Sequence, residues 1–300
     1  MKVDLQSLLQ PLEQSSVGVG NSQETIAGCE RRLGISLPSW LNDLYLEQDG
    51  IRASSSERAY VLPVERATDL SVGFCKLGVF VIAEEESDVV VQMLDGPLQG
   101  YIAKIPHDGE RGPLYRNERE YLQEISAALR RGQTALRDLA PACGGRRSND
   151  DDHARASALV TSEAPRPSSE RRRFQLQMAV SLLGSHQAEA FLTVLDDEDL
   201  YVRESAEDSL RQLADPPARQ LLSTYASSCK QFELRCKRLV ESTGGEIFEA
   251  TQRSTTATWT AIAVRGTSGK LHWLSLAGFY GRRMDPSFDA WFCERIRGLR

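Results

Sequence analysis

The spacing of apolar residues changes twice along this chain, and that change limits its fold more than any bulk property. From about Gln23 to Gly50 the apolar residues recur at helical spacing. From Tyr60 to Ala103 they fall in short β-branched or aromatic runs, and after Asn117 the helical spacing returns. One element type cannot serve both periods, because side chains of a helix repeat every 3.6 residues and those of a strand every two. The first part of the chain is therefore predicted to be α+β, with helices packed on an antiparallel sheet and a closing helix.

Leu5, Leu8, Leu9 and Leu12 predict an opening helix, with Pro11 near its end and a Gly/Ser-rich turn at Ser15–Ser22. Ile26, Cys29 and Leu33 share a face of the next helix, and Gly34 follows as a residue free to take positive φ. Ser36-Leu37-Pro38 restarts a helix, with Pro38 in its first turn, where a missing N–H costs little. Leu41, Leu44 and Tyr45 face inward from it and Gly50 ends it. Tyr60-Val61-Leu62, Val79–Ile82, Val89–Val91 and Tyr101–Ala103 read as a meander, separated by turns at 84–88, 95–97 and 100. Asn117 and Glu120 form a capping box before the stripe Leu122, Ile125, Leu129, and Gly132 ends that helix. This first domain is assigned to 1–139.

Residues 140–170 hold Gly144-Gly145, Asp150-Asp151-Asp152 and Pro165-Arg166-Pro167-Ser168-Ser169, and read as a flexible linker with room for a short helix at Ala154–Val160. The acid run followed by Arg171-Arg172-Arg173 could form a nucleic-acid patch, but three arginines opening a helix more often make a solvated face. Residues 171–225 carry helical stripes. Within them Asp199-x-x-Val202-Arg203-x-x-Ala206-x-x-x-Leu210 resembles a HEAT repeat, with Gln187–Leu213 as one full unit and Arg203 in a structural role. Residues 226–300 read as a small α-β-β-β-α unit, with strands at Glu246–Glu249, Ala257–Val264 and Leu271–Leu276 and a last helix holding Phe288, Trp291, Phe292 and Ile296. In the middle strand the alternation does not select a face.

Charge separates the two ends. Residues 1–140 hold 14 basic and 21 acidic residues, 14 − 21 = −7, and the remainder 22 and 21, 22 − 21 = +1. An acidic front favours a basic partner and argues against nucleic-acid binding by that part, which needs a cationic surface. The 6 cysteines include no Cys-x-x-Cys pair, so reduced thiols are expected and a zinc or redox motif is not. Met1-Lys2-Val3-Asp4 lacks the apolar stretch of a signal peptide, and no run is long enough to span a bilayer, so a cytoplasmic protein is expected.

The phrase Glu30, Leu33-Gly34, Leu37-Pro38, Leu44-Tyr45 and Gly50, followed by Leu62-Pro63, Gly100-Tyr101-Ile102 and Tyr121-Leu122-x-x-Ile125, resembles the SUKH superfamily, the Smi/Knr-type domains, over about Leu5 to Leu129. The resemblance implies an α+β binding domain. Many bacterial members are immunity proteins that neutralise toxins, often nucleases or deaminases, by stoichiometric binding; others are regulatory adaptors. It brings no catalytic motif and no cofactor, and Gly34, Leu37, Pro38 and Gly50 would set backbone geometry. The C-terminal extension has no counterpart in a minimal immunity protein, so an adaptor or scaffold using the helical-repeat segment is the alternative.

Glu84-Glu85-Glu86-x-Asp88 is the densest charge in the chain. It could face a cationic cleft, or form a solvated hairpin tip that keeps strand edges from pairing. Trp40, Tyr45 and Tyr60 are of the kinds that anchor interfaces, although Tyr45 and Trp40 also suit a core. The 4 histidines, His107, His153, His186 and His272, are not ligand-spaced, and each is expected to be solvated or lightly bonded. Glu246, Glu249 and Lys270 could be grouped as a nuclease-like acid-acid-lysine set, but they lack the compact spacing.

Overall fold

The structure is a computed structural model and describes residues 19–52, 59–107, 111–133, 135–252, 259–265, 269–276, 279–280 and 285–299. The helix expected at Leu5–Leu12 lies outside these residues. The chain is mixed α+β with antiparallel sheets. It falls into two compact units, one running to Glu163 and taking in Ser169–Leu183, the other made of Ala164–Ser168 and Gly184 onward.

The first unit opens with α1 (Gln23–Leu33), whose N-terminus is capped by Ser22 Oγ accepting the Thr25 N–H at 3.1 Å. Gly34 closes it at φ +67, donating its N–H to the Glu30 carbonyl at 2.8 Å. Helix α2 (Ser39–Glu47) begins one residue later than the sequence suggested. Pro38 holds the cap position, extended at ψ 138, and lies outside the first turn. Glu30 makes the link between these helices, because its carboxylate accepts the Leu37 N–H at 2.8 Å.

After α2 come β1 (Ile51–Arg52) and its antiparallel partner β2 (Ala59–Val61). Gly50, at φ +90, is required twice over: the backbone is left-handed, and a Cβ there would sit 2.5 Å from the Val61 carbonyl oxygen. Its neighbour Asp49 accepts from Asn21 Nδ2 and from the Val64 N–H, both at 2.9 Å. The Asp-Gly pair thus fixes where α3 (Val64–Phe74) starts. Helix α3 was not expected. Its inward face is Val64, Ala67, Thr68 and Ser71, at helical spacing but half polar, so hydrophobicity alone did not reveal it. Thr68 Oγ1 donates to the Val64 carbonyl at 2.7 Å and Ser71 Oγ accepts the Val81 N–H at 2.9 Å, which makes both hydroxyls acceptable in a core.

Strands β3 (Val79–Glu85), β4 (Asp88–Met93), β5 (Ile102–Ile105) and β6 (Gly112–Tyr115) form one antiparallel sheet in that order. Every residue of Val79–Ala83 is buried, so the sheet is covered on both faces. Strand β6 was not expected. Its Gly112-Pro113 start suits an edge, the only part of a sheet where proline is tolerated. Helix α4 (Glu118–Arg130) is capped by Asn117, which accepts the Glu120 N–H at 3.0 Å. Glu120 reaches back to the Arg116 N–H at 2.9 Å, one residue beyond the expected reciprocal partner, the Asn117 N–H.

The reading of 140–170 as a flexible linker is corrected. Asp150–Glu163 forms helix α5, burying Ala156, Leu159 and Val160, and it packs on α6 (Glu170–Leu182) within the first unit. The acidic run is the first turn of α5, where the helix dipole favours negative charge. Helix α6 buries Phe174, Leu176, Met178, Ala179, Val180 and Leu182, residues from all around its circumference. It therefore belongs with the sheet and not with the repeat-like segment to which 171–225 was assigned.

The second unit contains α7 (Ala188–Leu195), α8 (Leu200–Leu213) and α9 (Pro216–Ser242). Val202, Ala206 and Leu210 of α8 are fully buried, and Arg203 donates to the carbonyls of Asp197 at 2.5 Å and Glu198 at 3.2 Å, the structural role expected of it. Asp215 caps α9 by accepting the Ala218 N–H at 2.9 Å, with Pro216 and Pro217 in the first turn. The helix runs unbroken for 27 residues across the boundary expected at 225/226. Strands β7 (Glu246–Gln252), β8 (Trp259–Arg265) and β9 (Leu271–Ser275) follow as an antiparallel sheet, and then α10 (Phe288–Arg297). Ile262, Ala263 and Val264 are all buried, and the register of Ile262 with the buried Leu274 and of Ala263 with the exposed Trp273 puts Ile262 on the core face and Ala263 on the other. Phe232, Tyr280, Phe288 and Phe292 make an aromatic core, and the buried Glu233 carboxylate accepts from Tyr280 Oη at 2.6 Å and from the Trp259 N–H at 2.8 Å. No helix among the described residues is long and apolar enough to cross a membrane.

Candidate protein-binding surface

The expected acidic cluster lies on the hairpin between β3 and β4, whose pairing of Glu85 with Asp88 leaves a two-residue turn at Glu86 and Ser87. Glu86 takes the left-handed backbone at φ +58, which costs a non-glycine residue about 1 kcal/mol, and its side chain is exposed. The other three acids have internal partners. Glu85 is only 8% exposed and accepts the Arg137 N–H at 2.9 Å. Glu84 holds Arg66 of α3 in a fork, with contacts of 2.8 and 3.1 Å. Asp88 sits 2.6 Å from Lys104 Nζ and accepts the His107 N–H at 2.9 Å; the lysine and that N–H hold its carboxyl below the ordinary range. The four neighbouring acids therefore differ in surroundings, from the buried Glu85 to the exposed Glu86 at the turn.

Trp40 is not a surface anchor. It is 4% exposed, and its indole N–H donates to Gln92 Oε1 on β4 at 2.9 Å, tying α2 to the sheet. Tyr45 and Tyr60 are also buried: Tyr45 Oη donates to the Leu62 carbonyl at 3.0 Å and Tyr60 Oη to the Gln133 carbonyl at 2.8 Å. Gly34, Leu37, Pro38 and Gly50 occupy the turns described above, and Leu37 is buried.

The residues that sequence reasoning missed lie on α3. Glu65, Asp69 and Val72 are exposed and fall on one helical face, at spacings of four and three. The Arg66–Glu84 fork brings the first turn of α3 against the end of β3. The Arg66–Glu84 pair thereby sets the hairpin acids beside the α3 acids, and among the described residues Arg66, Arg32 and Lys104 are cations paired with them, to Glu84, Asp69 and Asp88. The signal was present in Val64-x-x-Ala67-Thr68-x-x-Ser71, a helical period carried by small and hydroxyl side chains.

Away from this surface, the first unit holds a heavily hydrogen-bonded carboxylate. Asp152 of α5 is fully buried. It accepts Tyr101 Oη at 2.6 Å, the Asn149 N–H at 2.8 Å, and Arg116 Nε and Nη2 at 3.0 and 2.8 Å. Burial pushes its carboxyl up, but the tyrosine, the arginine and the backbone N–H outweigh burial and hold it below the ordinary value. Arg116 also donates to Glu120 and to the carbonyls of Ala142 and Arg147. With both oxygens occupied, Asp152 is placed to clasp the fold together and not to move a proton.

Reactive groups elsewhere are similarly damped. Burial pushes the thiols of Cys143 and Cys236 up to about 12, which leaves them protonated and unreactive at neutral pH. His153, expected to be solvated or lightly bonded, is 8% exposed, with Nδ1 2.7 Å from the Leu182 carbonyl oxygen. Glu246 and Glu249 stand on β7 and Lys270 just before β9, with β8 between, so the acid-acid-lysine set does not assemble. Compared with protein-family models, curated proteins and solved structures, the chain matches none.

Proposed function

We propose that the first unit is a non-enzymatic, SUKH-type binding module: an immunity protein that acts in the cytoplasm and neutralises a basic toxin domain, of nuclease or deaminase kind, by occupying it. The observation that carries this reading is the joined surface of Glu65 and Asp69 on α3 with Glu84 and Glu86 on the hairpin, beside the exposed Val72. A surface on which acids outnumber bases steers a cationic partner. The order over residues 23–130, two helices, a two-stranded ribbon, helix α3, a four-stranded antiparallel sheet and a closing helix, is compatible with it. The gene beside this one should then encode a large secreted toxin, and co-expression should rescue cells from it. Replacing Glu65, Asp69 and Glu86 together by lysine should abolish rescue while the chain stays folded. Failure of the unaltered chain to rescue removes the reading.

A second reading, an adaptor, draws on the exposed Leu192 of α7 and Tyr201 of α8 in the repeat-like segment. It requires recovery from the native cytoplasm of a non-toxin complex that is lost when both are changed to serine.

A further inference from the structure

Positive charge gathers in the back part of the second unit. Residues 216–300 hold 13 basic and 7 acidic residues, 13 − 7 = +6, in a chain of net charge −6. Helix α9 presents part of this excess. Its buried side is one stripe, Ala218, Tyr225, Cys229, Phe232, Cys236 and Val240. The opposite side is open to solvent. At about 100° per residue, Arg219, Lys230 and Lys237 fall within about 20° of one line along that side, over about 27 Å, and Arg238 flanks them. Of the two acids in α9, Glu233 is buried against Tyr280 Oη and the Trp259 N–H. Glu241, in the last turn, is the one that is exposed.

All four cations are exposed, and none of them enters an ion pair among the described residues, whereas Arg235 on the flank is held 2.6 Å from Asp289. Ser223, Thr224, Ser227 and Gln231 stand exposed between them, short or polar side chains that let an anion approach the helix and can donate hydrogen bonds to it. The same face says which polyanion fits. A protein partner needs a desolvated anchor, but Leu234, 55% exposed, is the single large apolar side chain open on α9. An anionic membrane needs an apolar stripe to insert, which one leucine does not supply. Unpaired bases need aromatic rings to stack on, and Tyr225 and Phe232 are buried. A straight row of cations with hydroxyl and amide donors suits the phosphate backbone of a double helix. The net charge of the whole chain opposes this only locally, because charges beyond about 10 Å are screened at 0.1 M salt.

We propose that the outer face of α9 binds the phosphate backbone of a nucleic-acid duplex without reading its sequence. The site belongs to the second unit and is independent of the toxin-binding reading of the first. Four phosphate contacts make the logarithm of the binding constant fall against the logarithm of salt with a slope of about −3.6. Affinity then drops about a hundredfold between about 50 and 200 mM salt.

Fluorescence anisotropy of a labelled DNA duplex of about 24 base pairs, titrated with the full chain across that salt range, tests this. The expected result is micromolar binding at the lowest salt, indifferent to scrambling of the DNA sequence, with a slope near −3.6. Lys230→Gln combined with Lys237→Gln, at exposed positions where folding is not at stake, should weaken binding about tenfold or more and bring the slope to about −1.8. Lys270→Gln, a cation of the same unit outside α9, should change affinity by less than about twofold. Absence of binding at the lowest salt overturns the proposal. So does a double variant that keeps the slope, or a Lys270→Gln loss as large as that of the double variant. Displacement of the duplex by polyglutamate or by phosphatidylserine vesicles at equal charge concentration also overturns it, and assigns the face to an acidic protein or to a membrane.

Discussion

Asp152→Asn is the most searching perturbation of the first unit, because it keeps volume and shape and removes only charge. Wild-type Asp152 is fully buried and receives the Arg116 guanidinium, the Tyr101 hydroxyl and the Asn149 N–H. Breaking one side of a buried ion pair costs roughly 3–5 kcal/mol. Arg116 is 20% exposed at its side chain and keeps Glu120 and two carbonyls, so its stranded charge is partly compensated. The expected loss for Asp152→Asn is therefore about 2 kcal/mol, rising to about 3 kcal/mol for Asp152→Ala, which also orphans the Tyr101 hydroxyl. Urea unfolding read by far-UV circular dichroism, with the two units fitted as separate transitions, measures this as a fall in midpoint without a change in slope. The pH dependence adds a signature that a packing defect lacks. Asp152 has a depressed pKa in the folded chain. Its contribution is full above the unfolded carboxylate value of about 3.9 and fades as pH falls through the folded value. Wild type and Asp152→Asn should thus differ most at pH 7 and converge at the acid end. A loss below about 0.5 kcal/mol, or one that stays constant into acid, refutes the role given to the clasp.

Three further outcomes follow from the geometry. Gly50→Ala should destabilise by about 2–3 kcal/mol, because left-handed strain adds to the 2.5 Å clash with the Val61 carbonyl, whereas Gly34→Ala, with no atom within 4 Å of the new Cβ, should cost only about 1 kcal/mol in the same urea assay. Trp40→Phe should cost about 1–3 kcal/mol by leaving Gln92 Oε1 unpaired in the core, and Gln92→Leu in the same background should recover part of the loss. Iodoacetamide at pH 7.5, read by mass spectrometry, should modify Cys75 before any other thiol among the described residues and leave Cys143 and Cys236 untouched until the chain unfolds.

What the sequence disclosed and what it hid have separate physical causes. Helices α1, α2 and α4, the central strands and the α-β-β-β-α order of the tail follow from strong periodicity and from Gly34, Gly50 and Asn117 at the turns. Helix α3 escaped because its buried side includes Thr68 and Ser71, whose hydroxyls satisfy a backbone carbonyl and a strand N–H and so behave as core groups. Strand β6 escaped behind Gly112-Pro113. Helix α5 was read as linker with room only for a short helix at Ala154–Val160, because an aspartate run marks solvent in most chains, and nothing local reveals that Arg116, 36 residues earlier, neutralises the one that is buried. For the candidate surface, the hairpin acids were found by charge density, but how each is held depends on Arg66, Lys104 and the Arg137 N–H, which only folding brings near.

The clasp has a practical corollary for anyone wishing to study the front half alone. Composition invites a cut near Leu139, where small and charged residues begin. A fragment trimmed there would lose helices α5 and α6, strand Arg116 without its main counter-ion, and uncover β6. It would be sticky and half-formed, and a failed binding assay on it would say nothing about the intact protein. The natural seam falls some forty residues later, after Leu183, where the first compact unit ends.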